Sequence, residues 1–159
     1  NPRLVTQPII KVSVLAIIQS DPPVYVLQKV QKKTTLGFVG GGIELSETIL
    51  QAACREWLEE TSGKDGLAGV DINPYNPTCI GHFVLNRATS GEQCAVVAVN
   101  IPEQEKTRII AGGCEHEEGE LVEAVHFLTF DQLAQAAEEH AILPNSRKAL
   151  EVYLDYLVS

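Results

Sequence analysis

The sequence predicts an α/β protein in which a mixed β-sheet lies between layers of helices. Short runs rich in β-branched residues have strand length, and segments with helical periodicity separate several of them. Strands and helices that alternate in this way pack as a sheet covered by helices. A chain of 159 residues, 45% of them hydrophobic, can bury one core and shows no internal repeat, so we expect a single domain over residues 1–159.

Six segments have the composition of β-strands and are bounded by glycine, proline or polar residues. The predicted strands are Val12–Ile18, Val24–Val30, Leu36–Val39, Thr78–Leu85, Gln93–Ile101 and Glu123–Leu128. The first apolar run is too short to span a membrane and lacks the cleavage pattern of a signal peptide. We therefore expect no membrane association and a cytoplasmic location.

The first predicted helix covers about residues 48 to 61, after a glycine loop at residues 40–42. Ile49, Ala53 and Trp57 recur at four-residue spacing, and the adjacent stripe is formed by Leu50, Cys54 and Leu58. This face can pack on the sheet. Ser62 and Gly63 should end the helix, because glycine is a common C-terminal stop.

Two further helices are predicted near the end of the chain. The second helix follows Asp131 as its N-cap, with an apolar side formed by Leu133, Ala134 and Ala137. The third begins after Pro144. Its inward residues should be Leu150, Tyr153, Leu154 and Leu157.

Three acids of the first helix, Glu56, Glu59 and Glu60, fall within an arc of about 100° on one side. Carboxylates this close repel one another, which a divalent cation or bound protons would relieve. Oxygen ligands suit hard cations, and no CxxC or HExxH pattern favours a softer metal. The predicted cofactor is therefore Mg²⁺ (or Mn²⁺), with a phosphate ester or anhydride as substrate. The alternative interpretation is a solvated acidic face.

The long-range spacing argues against that alternative. Gly41 is followed after five residues by Glu47, after seven more by Arg55–Glu56, and after two more by Glu59–Glu60. Six such matches should arise by chance less than about once in ten thousand chains of this size. The pattern resembles the Nudix box, the signature of the Nudix hydrolases, over residues 41–63. This resemblance implies a Nudix-type α/β/α sandwich with a mixed β-sheet.

The match has three departures from the family pattern. Trp57 stands at an aliphatic position, Val39 replaces a proline before the glycines, and Ser62 replaces a glycine. None of them removes an ionisable group, so the implied chemistry is kept. We expect altered loop stiffness and helix-end packing, with a cost of about 1 kcal/mol if Ser62 must adopt a left-handed backbone.

The resemblance implies a role for each matching residue of the box. Glu59 and Glu60 would be metal ligands, and Glu56 would be a ligand or the group that activates the attacking water. Arg55 would orient an acid, and Glu47 would support the metal shell.

The resemblance also implies roles for residues around the box. The carbonyl of Gly40 would be a backbone ligand, and Gly41 would let substrate approach bare backbone. Lys29 would contact phosphate, although a solvated lysine on an edge strand is the alternative. A further acid is expected from the segment 114–120, with Glu118 preferred and Glu120 second; the alternative is an exposed acidic loop.

The resemblance implies attack of water on phosphorus in a diphosphate. The last third of the chain is similar to ADP-ribose and nucleotide-sugar pyrophosphatases, which favours a nucleoside diphosphate linked to another moiety. The short start is more like enzymes that remove unwanted nucleoside triphosphates. A non-catalytic nucleotide-binding Nudix domain is a further alternative, and a homodimer is left open. A base could stack on Phe38, Tyr75 or Phe83, although a core role is the alternative for Phe38 and Phe83.

The formal charge of −9 disfavours nucleic acid as a partner, because a phosphate backbone needs a basic surface. A small-molecule nucleotide substrate remains compatible with this charge, since bound cations reverse the local field. The four cysteines have no metal-binding spacing, and we expect them to be free and structural. Cys79 and Cys94 lie in apolar runs where buried thiols are ordinary.

Overall fold

The structure is a computed structural model, and it describes residues 8–30, 34–85, 91–112 and 122–159. Its strands are β1 (Ile9–Gln19), β2 (Val24–Val30), β3 (Leu36–Gly37), β4 (Val39–Gly42), β5 (Thr78–Val84), β6 (Gln93–Pro102) and β7 (Val122–Thr129). Its α-helices are α1 (Ile49–Thr61), α2 (Phe130–Glu138) and α3 (Pro144–Val158). Two short 3₁₀ helices cover Asn73–Tyr75 and Glu103–Arg108.

Within the described residues, the seven strands form one mixed sheet with the central order β3-β2-β1-β6-β5. β1 and β6 are parallel, and the other pairs are antiparallel, including β7 with β2. One edge of β1 is divided, because Ile17 and Ile18 pair with β2 whereas residues 11–14 pair with β4. The three glycines 40–42 therefore lie in a strand of the sheet, and the predicted glycine loop is wrong. The predicted strand Leu36–Val39 is likewise split into β3 and β4 at Phe38.

Each face of the sheet carries its own hydrophobic core, because side chains of a strand alternate between faces. Val14 and Ile18 of β1 lie in the core that includes Trp57 of α1. Leu15 lies in the opposite core, which includes Leu133 of α2 and Leu150, Ala149 and Tyr153 of α3. Helices thus cover both faces, and the predicted α/β/α sandwich with a mixed sheet is confirmed.

Helix α1 begins and ends as local chemistry requires. Thr48 is the N-cap: its side chain accepts from the backbone N–H of Gln51 at 3.1 Å, and the Gln51 side chain accepts from the Thr48 N–H at 2.9 Å. Ser62 is the C-cap with φ −100°, and Gly63 takes the left-handed conformation with φ 78°. Ser62 is therefore not strained, and the expected cost of that departure is not incurred.

The inward face of α1 is rotated from the predicted one. Trp57 and Ala53 are buried as expected, but Leu50 and Leu58 are exposed. The helix instead buries Ala52 and Glu60. The rotation has a physical reason, because Glu60 hydrogen-bonds to the sheet and Ala52 is small enough to let the helix approach.

Two details of the last helices also differ from prediction. The N-cap of α2 is Thr129, which forms a capping box with Gln132, and Asp131 lies in the first turn. Leu154 and Leu157 of α3 are exposed, because the final turns of this helix extend past the core. Every residue from 154 onward is exposed. No helix of the described residues is long and apolar enough to cross a membrane.

The described cysteines are free thiols, as predicted, but their burial differs. Cys94 on β6 is buried and Cys54 on α1 is half-buried, whereas Cys79 on β5 is exposed and the expectation of a buried thiol there is wrong. Cys114 lies outside the described residues.

Candidate active site

The three acids of α1, the helix that carries most of the box motif, differ in how far they are exposed. Half of the Glu59 side chain is exposed, only 13% of the Glu56 side chain is, and Glu60 as a residue is 4% exposed. Glu60 is therefore not part of an open acidic surface. Its carboxyl lies between α1 and the sheet.

Arg55 connects the helix to the residues before it. Its Nε and Nη2 donate to the two carboxylate oxygens of Glu47 at 2.7 and 2.9 Å, and Nη2 also donates to the Gly42 carbonyl at 2.8 Å. Its Nη1 donates to Glu56 at 2.9 Å and to Glu59 at 3.3 Å. A planar guanidinium can satisfy these acceptors at once, which a lysine could not. The role of orienting an acid, predicted for Arg55, stays a prediction that this geometry favours.

Glu47 is held as a carboxylate at neutral pH. Besides the two bonds from Arg55, it accepts from the backbone N–H of Glu44 at 2.9 Å. The hydrogen bond from Arg55, followed by that from Glu44, lowers the pKa of Glu47 to about 2. Its charge is largely matched by Arg55, which is consistent with the supporting role assigned to it.

Glu56 packs directly against Gly41 of β4. A Cβ atom added to Gly41 would overlap the Glu56 carboxyl group and displace it, so the glycine leaves room for this carboxyl group beside β4. Burial raises the pKa of Glu56, and the hydrogen bond from Arg55 opposes that rise. A carboxylate in this environment is a better proton acceptor than an exposed one.

Glu60 has the most unusual environment of the group. Its Oε1 accepts from Nε2 of Gln28 on β2 at 2.8 Å, and its Oε2 is buried with no hydrogen-bond partner among the described residues. Burial raises the pKa of Glu60 to about 8, although the bond from Gln28 opposes the rise. No cationic side chain of the described residues pairs with Glu60, so nothing in that part of the chain compensates the negative charge of its ionised form.

The backbone around the acids is tightly packed. A Cβ atom at Gly40 would overlap the carbonyl oxygen of Val12. Gly112 donates from its N–H to the Glu60 carbonyl oxygen at 2.9 Å, and a Cβ there would lie 2.5 Å from the Glu59 carbonyl oxygen. Gly112, the last described residue before residue 122, therefore lies beside the end of α1.

The donor chemistry of the site fits a hard cation. The described residues contain no three histidine, cysteine, aspartate or glutamate side chains placed closely enough to hold a metal ion. Glu56 and Glu59 share one guanidinium, however, and Oε2 of Glu60 is a buried carboxyl oxygen with no hydrogen-bond partner among the described residues. An excess of carboxylate over positive charge, with oxygen donors only, suits Mg²⁺ or Mn²⁺ better than a soft metal.

Three further residues were predicted for the site, and none of them is placed beside the acids of α1 by the described structure: Lys29, Glu118 and Glu120. Lys29 is half-buried beside Gln28, but strand alternation places it with Tyr25 and Leu27 on the other face of β2. Its proposed contact with phosphate stays a prediction. Glu118 and Glu120 lie outside the described residues.

The three aromatic candidates also differ. Phe38 is buried in the core beneath α3, which favours its structural interpretation. Phe83 is partly buried against the same core. Tyr75 donates from its hydroxyl to Glu105 at 3.1 Å. A role in base stacking is not tested for any of them.

Gln28 was not anticipated by the sequence interpretation. It continues the alternation of Val24 and Val26, so it occupies a position that faces the α1 core. A polar residue at a buried position in an otherwise apolar alternation was the signal that could have identified it.

Comparisons with known proteins agree with this fold. The family model described as NUDIX domain matches residues 8–150. The chain therefore belongs to the NUDIX domain family, the Nudix hydrolases, as the spacing of the box implied. No curated protein matched the chain.

Solved structures similar to the chain share its fold at low identity. A MutT/nudix family protein from Enterococcus faecalis is 19% identical with a TM-score of 0.57, over 79% of this chain and 45% of that one. The NUDIX domain of Shewanella oneidensis NrtR, complexed with ADP ribose, is 15% identical with a TM-score of 0.59, over 99% and 93%. A bifunctional NMN adenylyltransferase/ADP ribose pyrophosphatase from Francisella tularensis, complexed with AMP and Mn ion, is 15% identical with a TM-score of 0.62, over 97% and 43%. The chain thus spans less than half of the Enterococcus and Francisella proteins.

Proposed function

We propose that this chain is a divalent-cation-dependent pyrophosphohydrolase that cleaves a nucleoside diphosphate linked to another moiety, with ADP-ribose or a nucleotide sugar as substrate. The observation that carries the proposal is the carboxylate of Glu60, which is buried, lacks a cationic partner within the described residues and has an unpaired oxygen. A buried anion of this kind is costly unless a cation or a proton compensates it. The oxygen-only surroundings favour Mg²⁺ or Mn²⁺.

The residues that would hold the cation are Glu56, Glu59 and Glu60, together with the backbone carbonyl of Gly40. When bound, Mg²⁺ or Mn²⁺ supplies positive charge for the phosphate oxygens and lowers the pKa of water. Arg55 fixes the carboxylates of Glu56 and Glu59 on one side of the helix through the hydrogen bonds described above. Gly41 has no side chain and so leaves the Glu56 carboxyl group its place beside β4.

The proposed reaction is hydrolysis of one phosphoric anhydride bond. The oxygen of water forms a bond to phosphorus, and the bond from that phosphorus to the bridging oxygen breaks. The leaving phosphate departs with the electron pair of the broken bond, and the water proton passes to a carboxylate. Glu56 is our first assignment for that base because its pKa is raised by burial. Glu118 or Glu120 is the second assignment.

Two solved structures with the fold of this chain support the proposed class of substrate. The Shewanella domain was solved with ADP ribose, and the Francisella protein, whose name includes ADP ribose pyrophosphatase, was solved with AMP and Mn ion. Both share the fold of this chain, which makes a nucleoside diphosphate derivative the first substrate to test. The cytoplasmic location and the state of oligomerisation stay predictions.

The test is a substrate panel with product identification. ADP-ribose, nucleotide sugars, nucleoside triphosphates and dinucleoside polyphosphates are incubated with Mg²⁺, with Mn²⁺ or with EDTA, and products are separated by chromatography. We expect AMP from ADP-ribose only when a cation is present. Release of nucleoside monophosphate from nucleoside triphosphates alone would favour an enzyme that removes unwanted triphosphates. Binding of ADP-ribose without product in any reaction would favour a non-catalytic binding domain.

A pair of variants connects the activity to the site. Glu56→Gln should reduce turnover by about two to four orders of magnitude, because the amide cannot accept the proton or balance a cation. Glu138→Gln, an exposed acid on α2, is the matched control and should keep the parent rate. Parent-like turnover of Glu56→Gln would remove Glu56 from the reaction.

A further inference from the structure

Gln28 is a buried polar side chain that the proposed reaction does not yet use. It is 2% exposed and lies on the face of β2 that otherwise carries Val24 and Val26. Its Nε2 donates to Glu60, while its own Oε1 is buried and has no hydrogen-bond partner among the described residues. A valine or leucine at this position would fill the core without the cost of a buried amide. Packing alone therefore does not account for a glutamine here.

The neutrality of Gln28 distinguishes it from the other partner of the acidic cluster. Arg55 brings a positive charge to Glu47, Glu56 and Glu59. Gln28 orients Glu60 by a hydrogen bond but adds no charge, so the carboxylate keeps its full attraction for a cation. A lysine or arginine at this position would neutralise Glu60, and an acid would repel it.

The two unpaired atoms of this pair have the same chemical character. Oε1 of Gln28 and Oε2 of Glu60 are both buried oxygen acceptors. Buried acceptors are normally satisfied by a donor or by a cation. Two such atoms on hydrogen-bonded neighbours are a separate observation from the box spacing, and they lie where α1 meets β2.

We propose that Gln28 is a positioning residue for the divalent-cation site, which fixes the carboxylate of Glu60 through an uncharged hydrogen bond and leaves one of its oxygens available to the cation. This inference rests on the proposed function, because it assigns Glu60 to cation binding. Hydrogen-bond partners behind a metal ligand orient that ligand, and their loss commonly weakens metal affinity by about 10- to 100-fold.

The test measures Mn²⁺ affinity of the purified full chain directly, by the electron paramagnetic resonance signal of free Mn²⁺, without substrate. Gln28→Met keeps the length and volume of glutamine but cannot donate, and we expect its Mn²⁺ dissociation constant to rise at least about tenfold. Ser146→Ala is the matched control. It removes a buried hydroxyl that accepts from the Phe38 N–H at 3.0 Å on the opposite face of the sheet, so it should lower stability and leave Mn²⁺ affinity unchanged.

A second variant keeps the inference testable if Gln28→Met does not fold. Gln28→Lys retains a hydrogen-bond donor for Glu60 but adds a charge, and circular dichroism reports its folding. We expect it to bind Mn²⁺ at least about tenfold more weakly than the parent chain. Parent-like affinity of a folded Gln28→Met or Gln28→Lys would overturn the proposal.

The coupling of the two residues gives an independent readout. In a Glu60→Gln background, adding Gln28→Met should change Mn²⁺ affinity little, because the ligand through which Gln28 acts is already altered. Equal effects of Gln28→Met in both backgrounds would show that Gln28 acts elsewhere, and would reject the proposal.

The outcomes also separate this inference from the proposed function. A parent chain that hydrolyses substrate but shows no effect of Gln28→Met retains the proposed function and loses only the role of Gln28. A parent chain that binds Mn²⁺ through Gln28 and Glu60 yet forms no product loses the proposed function and retains the role of Gln28. A parent chain that does not bind Mn²⁺ overturns both.

Discussion

The guanidinium of Arg55 donates to both carboxylate oxygens of Glu47, at 2.7 and 2.9 Å, across eight residues of the chain and the start of α1. The same group reaches the carbonyl of Gly42 at 2.8 Å. One side chain therefore fixes the relative positions of α1, the turn before it and β4, the strand that contains the three glycines. The position of the acids on α1 relative to β4 depends on this contact.

Replacement of Arg55 by lysine should reduce turnover by about tenfold or more. Lysine keeps the charge, but its ammonium cannot form the two parallel bonds to Glu47 and also reach Gly42 and Glu56. The measurement is kcat at saturating substrate and Mn²⁺. Arg108→Lys is the control, because Arg108 is more than half exposed and pairs with Glu105 in a 3₁₀ helix. Equal kcat for both variants would contradict the arrangement described above.

Replacement of Gly41 by alanine should reduce turnover on the order of a hundredfold while the protein stays folded, because small displacements of a reacting group have effects of this size. The added Cβ would occupy the place of the Glu56 carboxyl group and force it to move. Gly42→Ala is a close control, since a Cβ there would meet only the Ile10 carbonyl oxygen, at 4.0 Å. If both variants retain parent kcat, the contact between Gly41 and Glu56 has no part in activity.

Stability without a cation should fall between about pH 5 and about pH 8, and Glu60→Gln should flatten this dependence. Burial raises the pKa of Glu60 from 4.5 to about 8, so between these values the folded chain holds a proton that the unfolded chain has lost. The unfolded state is then favoured as pH rises. Each unit of pKa difference corresponds to about 1.4 kcal/mol.

The measurement for this prediction is the free energy of urea unfolding in EDTA across that pH range. Glu56 contributes in the same direction, because its pKa is also raised. Glu47 acts at lower pH, since its stabilising charge is lost only as pH falls towards about 2. Glu138→Gln should follow the parent curve, and a Glu60→Gln curve parallel to the parent would show that Glu60 does not titrate in this window.

Removal of either threonine cap should destabilise the protein by about 1 kcal/mol. Thr48→Ala and Thr129→Ala each remove a reciprocal capping box, one at α1 and one at α2. Only Thr48 adjoins Glu47, so only Thr48→Ala should also weaken Mn²⁺ binding. Chemical denaturation and Mn²⁺ titration test the two effects, and unchanged unfolding free energies would show that water replaces these caps without loss.

The type and order of the elements could be predicted because each depends on local pattern. Strand alternation and the four-residue spacing of Ala53 and Trp57 are properties of neighbouring residues, and the sandwich follows from them. The rotation of α1 could not be predicted in this way. Leu58 and Glu60 are two residues apart on the helix, and Glu60 is the buried one because β2 offers a glutamine at the contact.

The other differences have separate physical causes, one local and two that depend on contacts between distant segments. The residue type of Asp131 is typical of an N-cap, but Thr129 takes that position because Gln132 completes a capping box with it. Leu157 fits the apolar spacing of α3, yet the helix extends past the surface that could cover it. The acids of the box were identified by spacing alone, whereas Gln28 requires knowledge of which strand α1 contacts.

The divided edge of β1 has a consequence for how activity should be lost on heating. Residues 11–14 of β1 pair with β4, the strand of the three glycines, and Val12 and Val14 of the same stretch lie in the core that includes Trp57. The strand that carries Gly41 cannot detach without disturbing the centre of the molecule. Inactivation and global melting should therefore share one midpoint, in contrast to enzymes whose active site is built on a peripheral lid that loosens first.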